Sequence, residues 1–265
     1  MAVTTTLNPT STGTLKARVC PVDALDRELI EAMWDLFKNY YEDIERSRFE
    51  SDLSNKKDVI LLFDPNLRQL KGFSTLKVFD DAVNGKDFVA VYSGDTIIDE
   101  AYWGQTALQK TFFRYIIKTK LQHPTKDVYW FLISKGYKTY LLLSRNFPNY
   151  WPRHDRPTPA QEKAILNHLA TSMFADSWIP EKGVLSFKQP MGKLKGGIAP
   201  IDQSMLNQAD IRFFLEKNQG HAQGDELCCI GRIDATLALS YPAKIMKKSF
   251  KKLNETILKP WPVQS

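Results

Sequence analysis

The feature that most restricts the fold lies between residues 58 and 120: three apolar runs separated by short polar links, followed by one long helical pattern. The runs are "DVILLFD" (58–64), "LKGFSTLKVFD" (70–80) and "FVAVYSGDTII" (88–98), and the links are "PNLRQ" and "DAVNGKD". Such runs, bounded by Pro, Asn, Gly and Asp, read as strands joined by hairpin-type connections. From Gln105 the apolar period becomes that of a helix, with Leu108, Phe112, Tyr115 and Ile116 facing one way until "QHP" stops it at Pro124. The chain must therefore carry an antiparallel meander that feeds straight into an amphipathic helix.

Elements on either side extend this frame. "LKARVCPV" (15–22) fits a first strand, and Asp23 stands as the N-cap of an amphipathic helix carrying Leu25, Leu29, Met33, Leu36 and Tyr40. "IERSRFESDLSNKK" suits a second, more polar helix. After the long helix, "DVYWFLI" reads as a central strand and "SKGYKTYLLLSRNF" as a short helix. Four prolines in "FPNYWPRHDRPTP" (147–159) mark a stiff loop and an internal boundary. Beyond it lie the helical patterns "TPAQEKAILNHLATSMF" and "QSMLNQADIRFFLEKN", with the glycine- and lysine-containing "KGVLSFKQPMGKLKGGIAP" between them. "DELCCIGRIDATLAL" then makes one long or two short strands, and "PAKIMKKSFKKLNETILK" a basic amphipathic helix. The expected class is α/β (α+β): a mixed, mostly antiparallel central sheet flanked by helices.

Composition serves mainly to exclude. With 265 residues, 43% hydrophobic and 25% charged, the chain can bury a substantial core. No apolar run reaches the roughly 18 residues needed to span a bilayer, and "MAVTTTLNPTSTGTLK" has no secretory h-region, so a cytoplasmic protein is expected. Cys20, Cys228 and Cys229 form neither a disulfide framework nor a C-x-x-C knuckle. His123, His154, His168 and His221 show no metal-binding spacing, so no metal is expected. The net charge of +6 suggests an acidic partner, whether a cofactor phosphate, an acidic protein, nucleic acid or lipid headgroups. No nucleic-acid module signature, G-x-x-x-x-G-K-[ST] or G-x-G-x-x-G occurs.

Gly94, followed at once by Asp95, interrupts the third apolar run, as expected for a bulge that frees peptide groups for a ligand. The turn before the long helix offers backbone N–H groups from Trp103, Gly104, Gln105, Thr106 and Ala107, the arrangement in which a helix N-terminus meets a phosphate. A tight connection with no ligand is the alternative reading. Lys110, Arg114 and Lys118 form a row at four-residue steps, either a solvated face or a docking surface for an acidic partner.

The order strand, two helices, three antiparallel strands, turn, long helix, strand and short helix resembles the GCN5-related N-acetyltransferase (GNAT) superfamily over residues 15–150. "EAYWGQTAL" is similar to that family's pyrophosphate-binding Q/R-x-x-G-x-G/A turn, departing from it either with Trp103, Thr106 and Leu108 in place of the basic or amide residue, the central glycine and the last small residue, or, with Gly104 as the central glycine, with Ala101 first and Thr106 last. The resemblance implies a polar tail over 1–14, an acyl-donor-binding core over 15–155, and an extension over 156–265 that completes the sheet and the acceptor or acyl pocket. It implies an acyltransferase with no tightly bound cofactor, using acyl-CoA or an acyl carrier protein as donor and an amine or hydroxyl acceptor.

Direct transfer of this kind needs a general base and donors for an oxyanion. Asp95, Asp99 and Glu100 are candidate bases, because burial beside an apolar strand raises a carboxyl pKa. His154, beside Asp155, is another, and Tyr140 is either a group that protonates the leaving thiolate or an ordinary packed aromatic, with Tyr137 nearby. The family's usual tyrosine position is Leu142 here. The competing class is a non-catalytic binding protein whose basic helices contact an acidic protein, nucleic acid or the surface of an anionic membrane.

Overall fold

The computed structural model describes residues 13–237, apart from 43, 67, 188–192 and 195–200. The basic segment 244–259 lies outside the described residues, as do 1–12. In chain order the elements are β1 (Lys16–Pro21), α1 (Arg27–Tyr40), β2 (Tyr41–Glu42), α2 (Arg46–Ser54), β3 (Asp58–Asp64), β4 (Gln69–Val83) and β5 (Lys86–Ile98). There follow α3 (Ala107–Gln122), β6 (Asp127–Ser134), α4 (Tyr137–Asn146), β7 (Tyr150–Trp151), α5 (Ala160–Phe174), β8 (Trp178–Ile179) and β9 (Val184–Leu185). β10 (Lys193–Leu194), α6 (Ala209–Lys217) and β11 (Glu226–Arg232) complete the set.

The main sheet runs β1-β3-β4-β5-β6-β11-β9-β8, with β7 also on β11. Among the described residues only the β5–β6 pairing is parallel, so the sheet is mixed and mostly antiparallel. Alternation along the strands decides the two layers. Val59, Leu61 and Phe73 pack with Met33, Leu36, Phe49 and Leu53 of α1 and α2, and Phe88, Ala90 and Tyr92 pack with Ile165 and Leu169 of α5. The opposite residues, Ile60, Leu62, Val89 and Val91, meet Ile116 of α3, Leu143 of α4 and Phe214 of α6.

Three local readings are corrected. Asp23 sits in a 3₁₀ turn, Val22–Ala24, and Asp26 caps α1, its Oδ1 accepting from the Leu29 N–H at 2.8 Å. The polar link 81–87 is mostly strand: β4 reaches Val83, and Asn84 and Gly85, at φ 54° and 72°, make a two-residue turn into β5. That turn type needs positive φ at both positions, which Asn-Gly supplies. Downstream, the strand that starts at Glu226 ends at Arg232, and Asp234 Oδ1 accepts from the Leu237 N–H at 3.0 Å.

The proline-rich stretch is built into the sheet. Tyr150 and Trp151 are buried and pair with Gly231 and Ile230 of β11, Tyr150 finding cover on the α4 face of the sheet and Trp151 on the α5 face. Gly231 makes room for this packing: a Cβ would lie 2.7 Å from both Leu143 Cδ1 and Phe147 Cδ1. Gly231→Ala is therefore expected to destabilise by ~1–3 kcal/mol, read as a lower urea midpoint at unchanged m value.

Candidate active site

β5 and β6 are paired from Phe88↔Asp127 to Tyr92↔Phe131 and then separate. β6 continues against β11, through Ser134↔Leu227, while β5 stays with β4 to Ile98. Between the parted strands lies a cavity of about 430 Å³. Ser93, Gly94, Asp95 and Thr96 form one wall and Leu132, Ile133 and Lys135 the other; Phe37 and Phe49 cover it from the α1–α2 side, with Phe174, Phe187 and Glu226 contributed by the C-terminal part of the chain.

The β4–β5 register steps from Ser74↔Thr96 to Leu76↔Ser93, so β5 carries one extra residue at Gly94 and Asp95, opposite Thr75. The extra residue reverses the alternation. Val89 and Val91 face α3, yet Ile97, also odd-numbered, faces α1 and α2. Glycine is required at the bulge, because a Cβ at Gly94 would stand 2.6 Å from Thr75 Oγ1 and 3.0 Å from Lys56 Cε. The Thr75 hydroxyl is buried there without a hydrogen-bond partner.

Carboxylates from three elements meet in this cavity: Asp52 of α2, Asp95 of β5 and Glu226 of β11. Burial, then the nearby Asp52 charge, pushes Asp95 up to about 6, against an opposing pull from Lys56. Glu226 is likewise raised by burial, with Lys135 Nζ at 3.6 Å working the other way. Lys56, its side chain 3% exposed, holds Asp52 Oδ2 at 2.5 Å. Asp95 has no basic partner in an ion pair among the described residues. The Tyr41 and Tyr92 hydroxyls are both pushed upward by burial and stay neutral.

The turn into α3 sits at the end of β5, close to the bulge in sequence. Asp99 Oδ1 accepts from the Ala101 N–H at 3.1 Å and starts a 3₁₀ turn, Glu100–Tyr102, braced by Tyr102 Oη donating to Asp64 Oδ2 at 2.6 Å. Trp103 is 66% exposed, its Nε1 donating to Ile98 O at 2.8 Å, and Gly104 takes φ 86°. The Gln105 side chain is used structurally: Oε1 accepts from Leu15 N at 2.8 Å and Nε2 donates to Gly13 O at 3.1 Å. Thr106 precedes α3 without a side-chain cap, and the first turn, from Ala107, holds no acidic residue. The N–H groups of that turn and the positive helix end thus remain available to an anion.

Other expected site residues lie elsewhere. Glu100 is exposed at the turn, its N–H donating to Tyr40 Oη at 2.8 Å, and it does not line the cavity. Tyr140 is fully buried between Tyr150, Phe213 and Phe214, and its hydroxyl donates to Pro152 O at 3.0 Å; burial raises its pKa, and its neighbour Thr139 lines the cavity instead. His154 is not oriented by Asp155, which binds Arg153; its Nε2 lies 3.6 Å from Asp210. Lys110, Arg114 and Lys118 are exposed along one side of α3 and join no ion pair among the described residues. Asp52, Lys56, Lys135 and Glu226 were not singled out in the sequence, where no local pattern ties them to Asp95.

No protein-family model and no curated protein matches the chain. Solved structures similar to it include Arabidopsis thaliana NAA60 in complex with a bisubstrate analogue, at 15% identity over 51% of this chain and 86% of that one, TM-score 0.37. Another is the Escherichia coli GNAT family N-acetyltransferase YhbS in complex with CoA, at 16% identity over 56% and 79%, TM-score 0.35. A third, from Enterococcus faecalis and described as a conserved protein of unknown function and probable N-acyltransferase, matches at 16% identity over 84% and 67%, TM-score 0.38. The architecture itself rests on the chain's own ladders and registers. Among the described residues no helix is long and apolar enough to cross a membrane.

Asp95 ties the site to stability. Between its ordinary value of 3.8 and about 6, the folded protein keeps a proton on Asp95 that the unfolded chain releases, so stability falls as pH rises through that window. Asp95→Asn removes this penalty. The variant is expected to exceed the parent by ~1–3 kcal/mol at about pH 8, with the difference closing toward about pH 4, in urea titrations at both pH values.

Proposed function

We propose that this chain is a divergent GNAT-like acyltransferase, moving an acyl group from a thioester donor, acyl-CoA in the first instance, to an amine. The observation that carries the reading is the opening where β5 and β6 part, with a bulge on one wall and an uncapped helix start at the end of the same strand. In this reading the donor's phosphates meet the N–H groups of Gly104, Thr106 and Ala107, because those of Trp103 and Gln105 donate to Glu100 O and Tyr102 O within the turn, and its thioester lies in the opening. Gly94 and Asp95 stand outside the β4–β5 ladder, so their peptide groups can donate to the oxygen that becomes negative during attack.

Asp95 serves as the base. Held near 6, it is ionised at neutral pH yet basic enough to accept a proton as the nitrogen attacks. An amine is favoured over a hydroxyl because Asp95 lacks a basic partner of its own and the aromatic walls suit a cationic head. The ammonium first gives one proton to solvent, which frees its lone pair; the carbon–nitrogen bond then forms, the carbon–sulfur bond breaks, the nitrogen's second proton goes to Asp95 and the thiolate takes one from solvent.

Two tests follow. CoA should raise the melting temperature, and Asp95→Asn should cut turnover by ~10²-fold or more without weakening CoA binding. A protein with no response to CoA would remove the reading. The exposed row on α3 favours a second donor form, an acidic acyl carrier protein. For that form, Lys110→Glu with Arg114→Glu should abolish transfer from the acylated carrier while sparing transfer from the CoA thioester; equal rates would remove the carrier. The basic helix of the non-catalytic alternative lies outside the described residues, and steep salt-dependent binding to DNA or anionic vesicles, with no CoA response, would favour that class.

A further inference from the structure

Asp95 does not stand alone on its wall. Asp52, in the last turn of α2, comes within hydrogen-bonding contact of it, and two carboxylates in contact resist ionising together. Lys56 decides where the charge goes. Its ammonium donates to Asp52 Oδ2 at 2.5 Å and to Asp52 O at 3.3 Å, while its stem runs beneath Gly94 and its Nζ lies 5.9 Å from the Tyr92 ring centroid. Asp52, with its side chain 49% exposed, is at the mouth of the cavity, whereas Asp95 lies further in. From inside outward the order is therefore cavity, Asp95, Asp52, solvent, with a fixed cation on the outer carboxylate.

We propose that Asp52 and Asp95 form one proton-sharing pair, in which Lys56 keeps the negative charge of the singly protonated state on Asp52 so that a proton collected by Asp95 leaves through Asp52. This rests on the reading of Asp95 as the base. The doubly ionised pair accepts one proton from the attacking nitrogen. That proton sits on Asp95, hydrogen-bonded to the Asp52 carboxylate, passes to Asp52, and goes to water, restoring the pair with no net change. Asp52 is thus a positioning and relay residue.

Other groups around Asp95 fit this assignment. Glu226 on β11 also raises the energy of an ionised Asp95, but it has Lys135 at 3.6 Å. Tyr41 on β2 and Tyr92 on β5 stay neutral. Arg48 and Glu45 also line the cavity, with opposite charges. Lys56 is the cation that pulls Asp95 down, and Asp52 the carboxylate in contact with it.

The two partners therefore predict opposite shifts. Carboxyl carbon NMR titration of the substrate-free protein, with Asp95 assigned by the signal lost in Asp95→Asn, reads them without activity. Asp52→Asn should lower the Asp95 midpoint by about one pH unit or more, since the like charge goes and Lys56 is freed for Asp95. Lys56→Met should raise it. The acid limb of kcat should move in step, with kcat reduced in Asp52→Asn and the donor KM unchanged. An Asp95 midpoint unmoved in Asp52→Asn, or shifted upward, overturns the pair, and this variant decides alone if Lys56→Met does not fold. A midpoint that moves while the kcat profile stays put overturns the relay. Full turnover in Asp95→Asn instead overturns the underlying assignment of the base, whatever the titrations show.

Discussion

From Phe88 to Tyr92 the strands β5 and β6 exchange parallel hydrogen bonds, and from Ser93 onward they do not. Parting two strands in the middle of a sheet exposes two inner edges, and each buried N–H or C=O left unpaired costs about 1–3 kcal/mol. The inner groups face the cavity, and pairing on the outer edges is what holds the parted strands in place. β11, which arrives from the far end of the chain, takes the other edge of β6 from Tyr129 to Ser134, and β5 keeps β4 to its end. The extension beyond residue 155 is thus part of what holds the opening, and it brings Glu226 and Phe174 into the cavity wall.

The bulge then determines the chemistry of that wall. If β5 ran through Gly94 and Asp95 as a regular strand, Ile97 would face α3 and the end of β5 would present the wrong side chains to α1 and α2. With it, Asp95 turns into the cavity and Gly94 leaves the space that the Thr75 hydroxyl and the Lys56 stem fill. A buried lysine is costly unless paired. Lys56 is paired, and Asp52, its partner, is the same carboxylate that touches Asp95, so packing at the glycine and charge at the aspartate are one arrangement.

Periodicity made the frame legible. The meander, the long helix and the irregularity at Gly94 are local patterns of 10 to 20 residues, and each was readable from its own segment. The carboxylate pair was not, because Asp52 and Glu226 reach Asp95 only through tertiary packing. Tyr140 illustrates a finer limit: one residue on a helix turns the side chain by about 100°, which is enough to give the cavity Thr139 and the core Tyr140. At His154 the sequence neighbour Asp155 was taken by Arg153, since adjacent side chains point apart and a guanidinium fits a carboxylate with two bonds. The link 81–87 looked like a loop because its side chains are polar and exposed, although its backbone completes the β4–β5 ladder.

Charge is divided between the faces of the sheet in a way the net value of +6 conceals. On the α3 side stand Lys110, Arg114 and Lys118, beside a helix start with no acidic residue in its first turn. On the α1–α2 side the cavity gathers Asp52, Asp95 and Glu226, two of them with lysines already in place. An anionic donor and a cationic acceptor would each be drawn to a different face, and the gap between β5 and β6 is where the two faces communicate. Field of this kind acts on approach and orientation more than on affinity. For the proposed transfer it sorts the reactants before they meet, and it leaves the single carboxylate without a cation, Asp95, at the point where a protonated amine would arrive.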